Sequence, residues 1–273
     1  MTRLLRHIIP SWLVLGILAA GFYLSASPVD SQTEPCATAL GQMLTSDGGE
    51  LTNELEVLSW NIQKASNTGW AEDLASFGSD IDLAFIQEAS VQAHIGQVIP
   101  AGLYQAFAAG YTTQNMETGV MTLSSSSPSV ACNLTSWEPW LGTPKATSIT
   151  EYPLQGRDDR LLTINLHAVN FALGLENFQG QFDALTDVLR SHQGPVILAG
   201  DLNTWSDARQ LLVDNFMLEH GLGAVTFEPD LRTTTFGRAL DHIYVRGMQA
   251  EYAQAIPVSS SDHNPLRVRL TIQ

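Results

Sequence analysis

Residues 196–203, Val196-Ile197-Leu198-Ala199-Gly200-Asp201-Leu202-Asn203, form a short apolar run that stops at a carboxylate, with an amide two residues further on. The run is too short for a helix and follows Gly194-Pro195, so 196–199 reads as a buried strand. A charge at the end of such a strand is expensive unless something nearby compensates it. The rest of the chain repeats this arrangement. LEVLSW, residues 55–60, ends at Asn61. DLAFIQ, 82–87, ends at Glu88. LLTINL, 161–166, ends at His167. Asp241 opens the run DHIYV, 241–245, and Asp262-His263-Asn264-Pro265 leads directly into LRVRLTI, 266–272.

Taken singly, each of these polar groups has an ordinary reading. Glu88 suits a helix start, Asp201-Leu202-Asn203 a turn, and His167 a buried structural histidine. Asp241-His242 suits a surface pair, and residues 262–265 a polar turn. Together they predict that one rim of a sheet gathers polar side chains into a pocket. Four carboxylates there, Glu88, Asp201, Asp241 and Asp262, would repel one another. A hard divalent cation relieves that repulsion, and oxygen donors suit Mg2+, with Mn2+ second.

Two further runs, 119–124 and 145–152, also read as strands on their β-branched and aromatic content. Helices are expected over 70–77, 176–191 and 206–219, the last with Ser206 as N-cap and Gly221 as its stop. The chain shows no internal repeat and no second domain boundary, so residues 55–273 read as one α/β domain. Residues 31–54, rich in Ser, Thr, Gly, Pro and acids, read as a linker.

The chain has 273 residues, 44% of them hydrophobic, enough to bury a sizeable core. A disordered or collagen-like chain is excluded. Its net charge is −15, and from residue 31 on 11 basic residues face 27 acidic ones. Non-specific nucleic-acid binding is excluded by that balance, and a tight duplex-DNA enzyme is disfavoured. Only two lysines are present, Lys64 and Lys145.

Residues 1–30 form a separate object: Arg3 and Arg6 precede an uncharged stretch whose most apolar part is Ile8 to Leu24. Its 17 residues suit either a signal-anchor helix or a signal peptide, and Pro28 just after Ser25-Ala26-Ser27 weighs against cleavage. Either reading exports the remainder, anchored to the cytoplasmic membrane or released from it. In that compartment Cys36 and Cys132 are expected to form a disulfide, the other reading being two buried thiols.

The wording and order of six motifs resemble the endonuclease/exonuclease/phosphatase superfamily. They are Ser59-Trp60-Asn61-Ile62, Ile86-Gln87-Glu88, Asn165-Leu166-His167, Ala199-Gly200-Asp201-Leu202-Asn203, Leu240-Asp241-His242-Ile243 and Ser261-Asp262-His263-Asn264-Pro265. The stretches 119–124 and 167–171 are similar to a little-characterised bacterial branch. The resemblance implies an α/β fold, a four-layered α/β sandwich of two packed mixed β-sheets flanked by helices, here preceded by an N-terminal hydrophobic helix.

The resemblance also implies divalent-metal-dependent hydrolysis of phosphodiester or phosphomonoester bonds by in-line attack of water. On that reading Glu88, Asn61 and Asp262 hold Mg2+, or Mn2+ in its place. Asp201 deprotonates the water, Asn203 donates to the phosphoryl group, and His167 and His263 contact the phosphate. Asp241 orients His263 and favours its charged form. Lys64, Asn170 and Arg238 are candidate substrate contacts. Trp70, Trp205 and Phe236 read either as pocket lining or as packing, the commoner role for aromatics at strand ends. The partners implied are a phosphate ester (nucleic acid, nucleotide, sugar phosphate or lipid head group) and, through residues 1–30, a membrane; no protein partner is inferred. The competing reading is a non-catalytic, membrane-tethered binding module using the same cleft.

Overall fold

The protein is described from a computed structural model, which covers residues 48–99, 102–172 and 174–273, together with Cys36 and Leu40. The expected N-terminal helix and most of the linker lie outside the described residues.

Fourteen strands and four α-helices make up the described domain. They run β1 (Glu54–Asn61), α1 (Trp70–Phe77), β2 (Leu83–Ser90), β3 (Tyr104–Thr112), β4 (Glu117–Ser124), β5 (Val130–Glu138), β6 (Thr143–Pro153) and β7 (Arg160–His167). They continue with α2 (Glu176–Asp183), α3 (Thr186–Ser191), β8 (Val196–Asp201), α4 (Asp207–Glu219), β9 (Gly223–Ala224), β10 (Thr234–Thr235), β11 (Arg238–Ala239), β12 (Asp241–Arg246), β13 (Met248–Ala255) and β14 (Leu266–Ile272).

Two six-stranded sheets result, ordered β13-β14-β1-β2-β4-β3 and β5-β6-β7-β8-β12-β9. Each is antiparallel except at its centre, where β1 runs parallel to β2 and β7 parallel to β8. The strands alternate sides with period two. Leu55, Val57 and Phe85 of the first sheet meet Leu161, Ile197, Ala199 and Ile243 of the second in a shared inner layer. The opposite face of the first sheet packs Leu58, Trp60 and Ile86 against Leu74 of α1. The opposite face of the second packs Leu162, Ile164 and Leu198 against Phe178 and Phe182 of α2 and Val213 and Phe216 of α4. The fold is therefore the four-layered α/β sandwich with mixed sheets.

Gly200 is required where β8 passes Leu166 of β7. Its φ is +146°, and a Cβ there would sit 2.0 Å from the Leu166 carbonyl oxygen. Ser206 caps α4 by accepting the Arg209 N–H, as its sequence predicts. The single helix expected over 176–191 is two helices, because the Leu185 N–H bonds the Phe182 carbonyl and tightens the chain locally. Strands β3, β5 and β13 were not expected. All three lie at sheet edges, and YQAFAAGYT and MQAEYAQA are short of β-branched residues, so the ladder rather than propensity holds them. Cys36 and Cys132 form the expected disulfide, spanning 96 residues and tying the segment before β1 to β5.

Candidate active site

Strand parity decides which polar groups reach the gap between the sheets. Leu55 and Val57 point inward, so Asn61 at the end of β1 also points inward. Leu161 gives His167 the same facing in β7, Ile197 and Ala199 give it to Asp201 in β8, and Ile243 gives it to Asp241 in β12. The central strands of each sheet are parallel, so their C-terminal ends share one rim, where open α/β sheets bind ligands. The register then pairs His167 with Asp201, and Asp201 with Asp241.

Glu88 has the opposite parity, since Ala84 and Ile86 pack outward under α1. The register of β2 against β4 shifts between Ile86 and Ala89, and Glu88 adopts φ +50°. That bulge turns its carboxylate into the cleft. Below the rim, Gln87 Nε2 donates to Asn165 Oδ1 at 2.8 Å and Asn165 Nδ2 to the Met121 carbonyl at 3.1 Å. These bonds stitch the two sheets together directly beneath the site.

Asp201 is the hub. Its Oδ2 accepts from Asn61 Nδ2 at 3.0 Å and lies 3.5 Å from His167 Nε2 and 3.9 Å from His263 Nε2. Its Oδ1 accepts the Asn203 N–H at 3.1 Å. Asn203, at φ +49°, is held in turn by its amide donating to the Ala168 carbonyl. His263 Nδ1 sits 2.7 Å from Asp241 Oδ2. The His263 segment is pinned from two sides: the Trp60 indole donates to the His263 carbonyl, and the Ser261 hydroxyl donates to the Asn61 carbonyl.

The buried groups are driven to different charge states. Burial pushes the Asp201 carboxyl up to about 6, with Asp241 adding to the rise, while His263, Lys145 and Asn61 oppose it. Burial also works against the charge on His263, but Asp241, Asp201 and Asp262 outweigh it and raise that imidazole to about 10. His167 moves the other way, well below its usual value, through burial first and then Lys145, His263 and Lys64. At neutral pH one histidine is an imidazolium and the other is neutral.

Lys145, absent from the expected site, is part of it. Its ammonium lies 2.9 Å from His167 Nε2 and 3.8 Å from Glu138 Oε1. An ammonium can only donate, so His167 accepts at Nε2 and carries its proton on Nδ1. The N–H donor facing the cleft at this point is thus the lysine, not the histidine. Lys64 sits 3.5 Å from Glu88 Oε2. Both lysines line one cavity of about 210 Å³ with Glu88, Glu138 and His167.

Two sets of residues could hold a metal. Asp201, Asp241 and His263 offer donor atoms within 4.8 Å of one another, although His263 Nδ1 is engaged with Asp241. Among the described residues, Glu88 meets only the cationic Lys64 and His167, the latter at 4.0 Å, and it takes no hydrogen bond. A partly buried carboxylate that takes no hydrogen bond, next to Asn61 in the β1–β2 register, suits a hard divalent cation. Asp262, the third expected ligand, is exposed, and among the described residues its carboxylate accepts a hydrogen bond only from Ser261 Oγ, at 3.5 Å.

The expected substrate contacts divide. Asn170 stands at the rim, taking the Trp205 indole N–H on Oδ1 at 3.0 Å and giving its backbone N–H to Glu138. Lys64 enters the cleft as described. Arg238 turns away and pairs with Asp207 at the start of α4, because the β10–β11 hairpin points its side chain at that helix. Sequence reading also missed Arg209. It is buried, donates to the carbonyls of Val169, Asn203 and Asn170, and lies over the rings of Phe178 and Trp205. Of the three aromatics read as pocket lining or packing, Trp205 and Phe236 line an open cavity beside Asn203, and Trp70 packs against the core under α1. The single basic residue in the helix expected over 206–219 was the available signal for Arg209, and the scarcity of lysine was the signal for Lys145.

Over residues 58–263 the chain matches the Endonuclease/Exonuclease/phosphatase family. A UPF0294 protein of Vibrio cholerae serotype O1 is 40% identical over 225 residues, which is 82% of this chain and 80% of that protein. A mannosyl-6-phosphatase of Bacteroides thetaiotaomicron superposes with a TM-score of 0.61 at 16% identity, covering 80% of this chain and 100% of that one. TDP2 of D. rerio, solved with a single-strand DNA product, does so with a TM-score of 0.56 at 17% identity, covering 80% and 99%. At these identities the two structures speak to the fold alone.

Proposed function

The chain belongs to the endonuclease/exonuclease/phosphatase family, and from that premise we propose that it hydrolyses a phosphate ester by in-line attack of water at the rim described above. The observation that carries the proposal is the placement of Asp201, a buried carboxyl raised to about 6, between a charged and a neutral histidine. A carboxylate with that proton affinity can take a proton from water near neutral pH. Asn61 and the Asn203 N–H hold it in place. His263, held as an imidazolium by Asp241, donates to the phosphoryl oxygens, and Lys145 offers a second cation across the cleft. These fixed charges stabilise the charge that develops at phosphorus. Glu88 and Asn61 would hold a divalent cation, Mg2+ or Mn2+, which when bound neutralises a phosphoryl oxygen.

A non-catalytic binding role gains nothing from this arrangement, since recognition alone needs no base poised between two histidines. The substrate we favour is a small phosphodiester rather than duplex DNA, on the net charge of −15. Export to an oxidising compartment belongs to the same proposal and is supported by the Cys36–Cys132 disulfide.

The test uses the purified full chain against a chromogenic phosphodiester and supercoiled plasmid, with Mg2+, Mn2+ or chelator. Turnover should require the cation and vanish in Glu88→Ala and His263→Ala, whose circular dichroism should match the wild type. Undiminished rates in both variants would remove the assignment of this site. Efficient plasmid nicking would overturn the preference for small substrates.

A further inference from the structure

A cavity of about 430 Å³ opens beside Asn203, walled by Trp140, Phe171, Trp205 and Phe236, with the Asn170 and Asn203 amides at its edge. Asn203 also holds Asp201, so the cavity adjoins the reacting position. Its walls are pre-formed. Glu138 Oε1 takes the backbone N–H groups of Asn170 and Phe171 at 2.8 and 3.3 Å, and Arg209 grips the Asn170 carbonyl from beneath while lying over the Trp205 ring. Trp205 and Phe236 meet edge to face, with centroids 6.3 Å apart.

Phe236 is the decisive residue. It stands at the tip of the β10–β11 hairpin, where Thr235 pairs with Arg238 and the two turn residues Phe236 and Gly237 have φ +52° and +78°. Such a turn favours Asn, Asp or Gly at its first position, and a bulky residue there is strained. The strained turn holds a ring that is 86% exposed over the mouth of the cavity. Packing does not account for it, whereas strain of this kind marks ligand clamps.

Resting on the phosphoesterase reading, we infer that this cavity is a subsite for an uncharged planar ring carried by the substrate, of the nucleobase class, so that the substrate is a small nucleoside phosphoester. Aromatic faces with amides at the edge suit a ring's faces and polar rim, whereas an acyl chain would need no aromatic walls. The volume holds one base with its sugar. Among the described residues no lysine or arginine lines the cavity, so they lay no basic track for a polynucleotide from it.

The experiment compares the full chain with Phe236→Asn and Trp140→Ala on two diesters of equal charge, thymidylyl-(3′→5′)-thymidine and glycerophosphoglycerol, with phosphatidylglycerol in mixed micelles as a third arm. Removing one stacking face should cost about 5- to 150-fold. The kcat/KM for the dinucleoside should therefore fall at least about fivefold more than that for the glycerol diester, while Phe236→Asn melts no lower than wild type because Asn suits the turn. Equal losses on both diesters, or losses confined to the lipid, would overturn the inference. If no diester is turned over, the phosphoesterase reading fails on its own, and the cavity is then read by tryptophan fluorescence with thymidine 5′-monophosphate. Saturable quenching that weakens in Phe236→Asn supports the subsite, and its absence in wild type overturns it.

Discussion

Replacing Asp241 by Asn keeps the shape and an acceptor oxygen but removes the charge 2.7 Å from His263 Nδ1. That charge is the main reason why His263 sits at about 10 rather than 6.5, against the pull of burial. At about 1.4 kcal/mol per unit, the rise corresponds to about 5 kcal/mol favouring the imidazolium. The folded value lies above the unfolded one, so this stabilisation is fully present below pH 6.5 and is lost as pH rises through about 10. Between pH 6.5 and 9 the wild type should lose about 3 kcal/mol through this group alone. In Asp241→Asn the Asp201 and Asp262 carboxylates still act on His263, but its strongest partner is gone, the folded value falls back towards 6.5, and most of this slope disappears. Urea unfolding of both proteins at the two pH values, without added divalent cation, measures it. The gap between wild type and variant should narrow by about 2–3 kcal/mol at pH 9, with equal m-values. A gap that stays constant within about 1 kcal/mol, the scale of one hydrogen bond, would refute the assignment of the charge to this pair.

Arg209→Met should destabilise by about 2–6 kcal/mol, because the Val169 and Asn203 carbonyls lose their donor in a buried place; a chemical denaturation midpoint equal to wild type would contradict this. Lys145→Met should lower kcat/KM about 100-fold, as losing one donor aimed at developing charge does, with partial recovery in Lys145→Arg; a loss under threefold would remove Lys145 from the chemistry. Asp201, raised to about 6, takes up a proton in the folded state before the unfolded chain does. Relative to Asp201→Asn, the metal-free wild type should therefore gain stability as pH falls from 7 towards 5, and opposite slopes in parallel melts would count against its burial.

The inner strands and the polar ends of β1, β7, β8 and β12 were legible because alternation and a terminal polar residue appear together in one short run. Asn61, His167, Asp201 and Asp241 reach the cleft by parity alone. Glu88 does so only through a bulge with φ +50°, and no periodicity announces a bulge. The edge strands were hidden because pairing with a neighbour, not composition, makes YQAFAAGYT and MQAEYAQA extended. Lys145 and Glu138 could not be linked to the site from sequence, since β6 and the end of β5 contribute to it through sheet order. Arg238 shows the converse: nearness to Asp241 in sequence did not carry its side chain to the cleft, and Asp207 holds it instead.

Lys64 and Lys145 are the chain's only side-chain amines, and both face the cleft that holds Glu88 and His167. Amine-reactive chemistry therefore becomes an address for this protein. Biotin esters, amine cross-linkers and fluorescent acylating dyes, which usually decorate a surface at random, would here label the neighbourhood of the site or the N-terminus. Immobilisation through amines would block the cleft, and handles for tethering or imaging belong on other chemistries. Conversely, protection of these two amines from acylation gives a mass-spectrometric footprint of occupancy that requires no knowledge of the substrate.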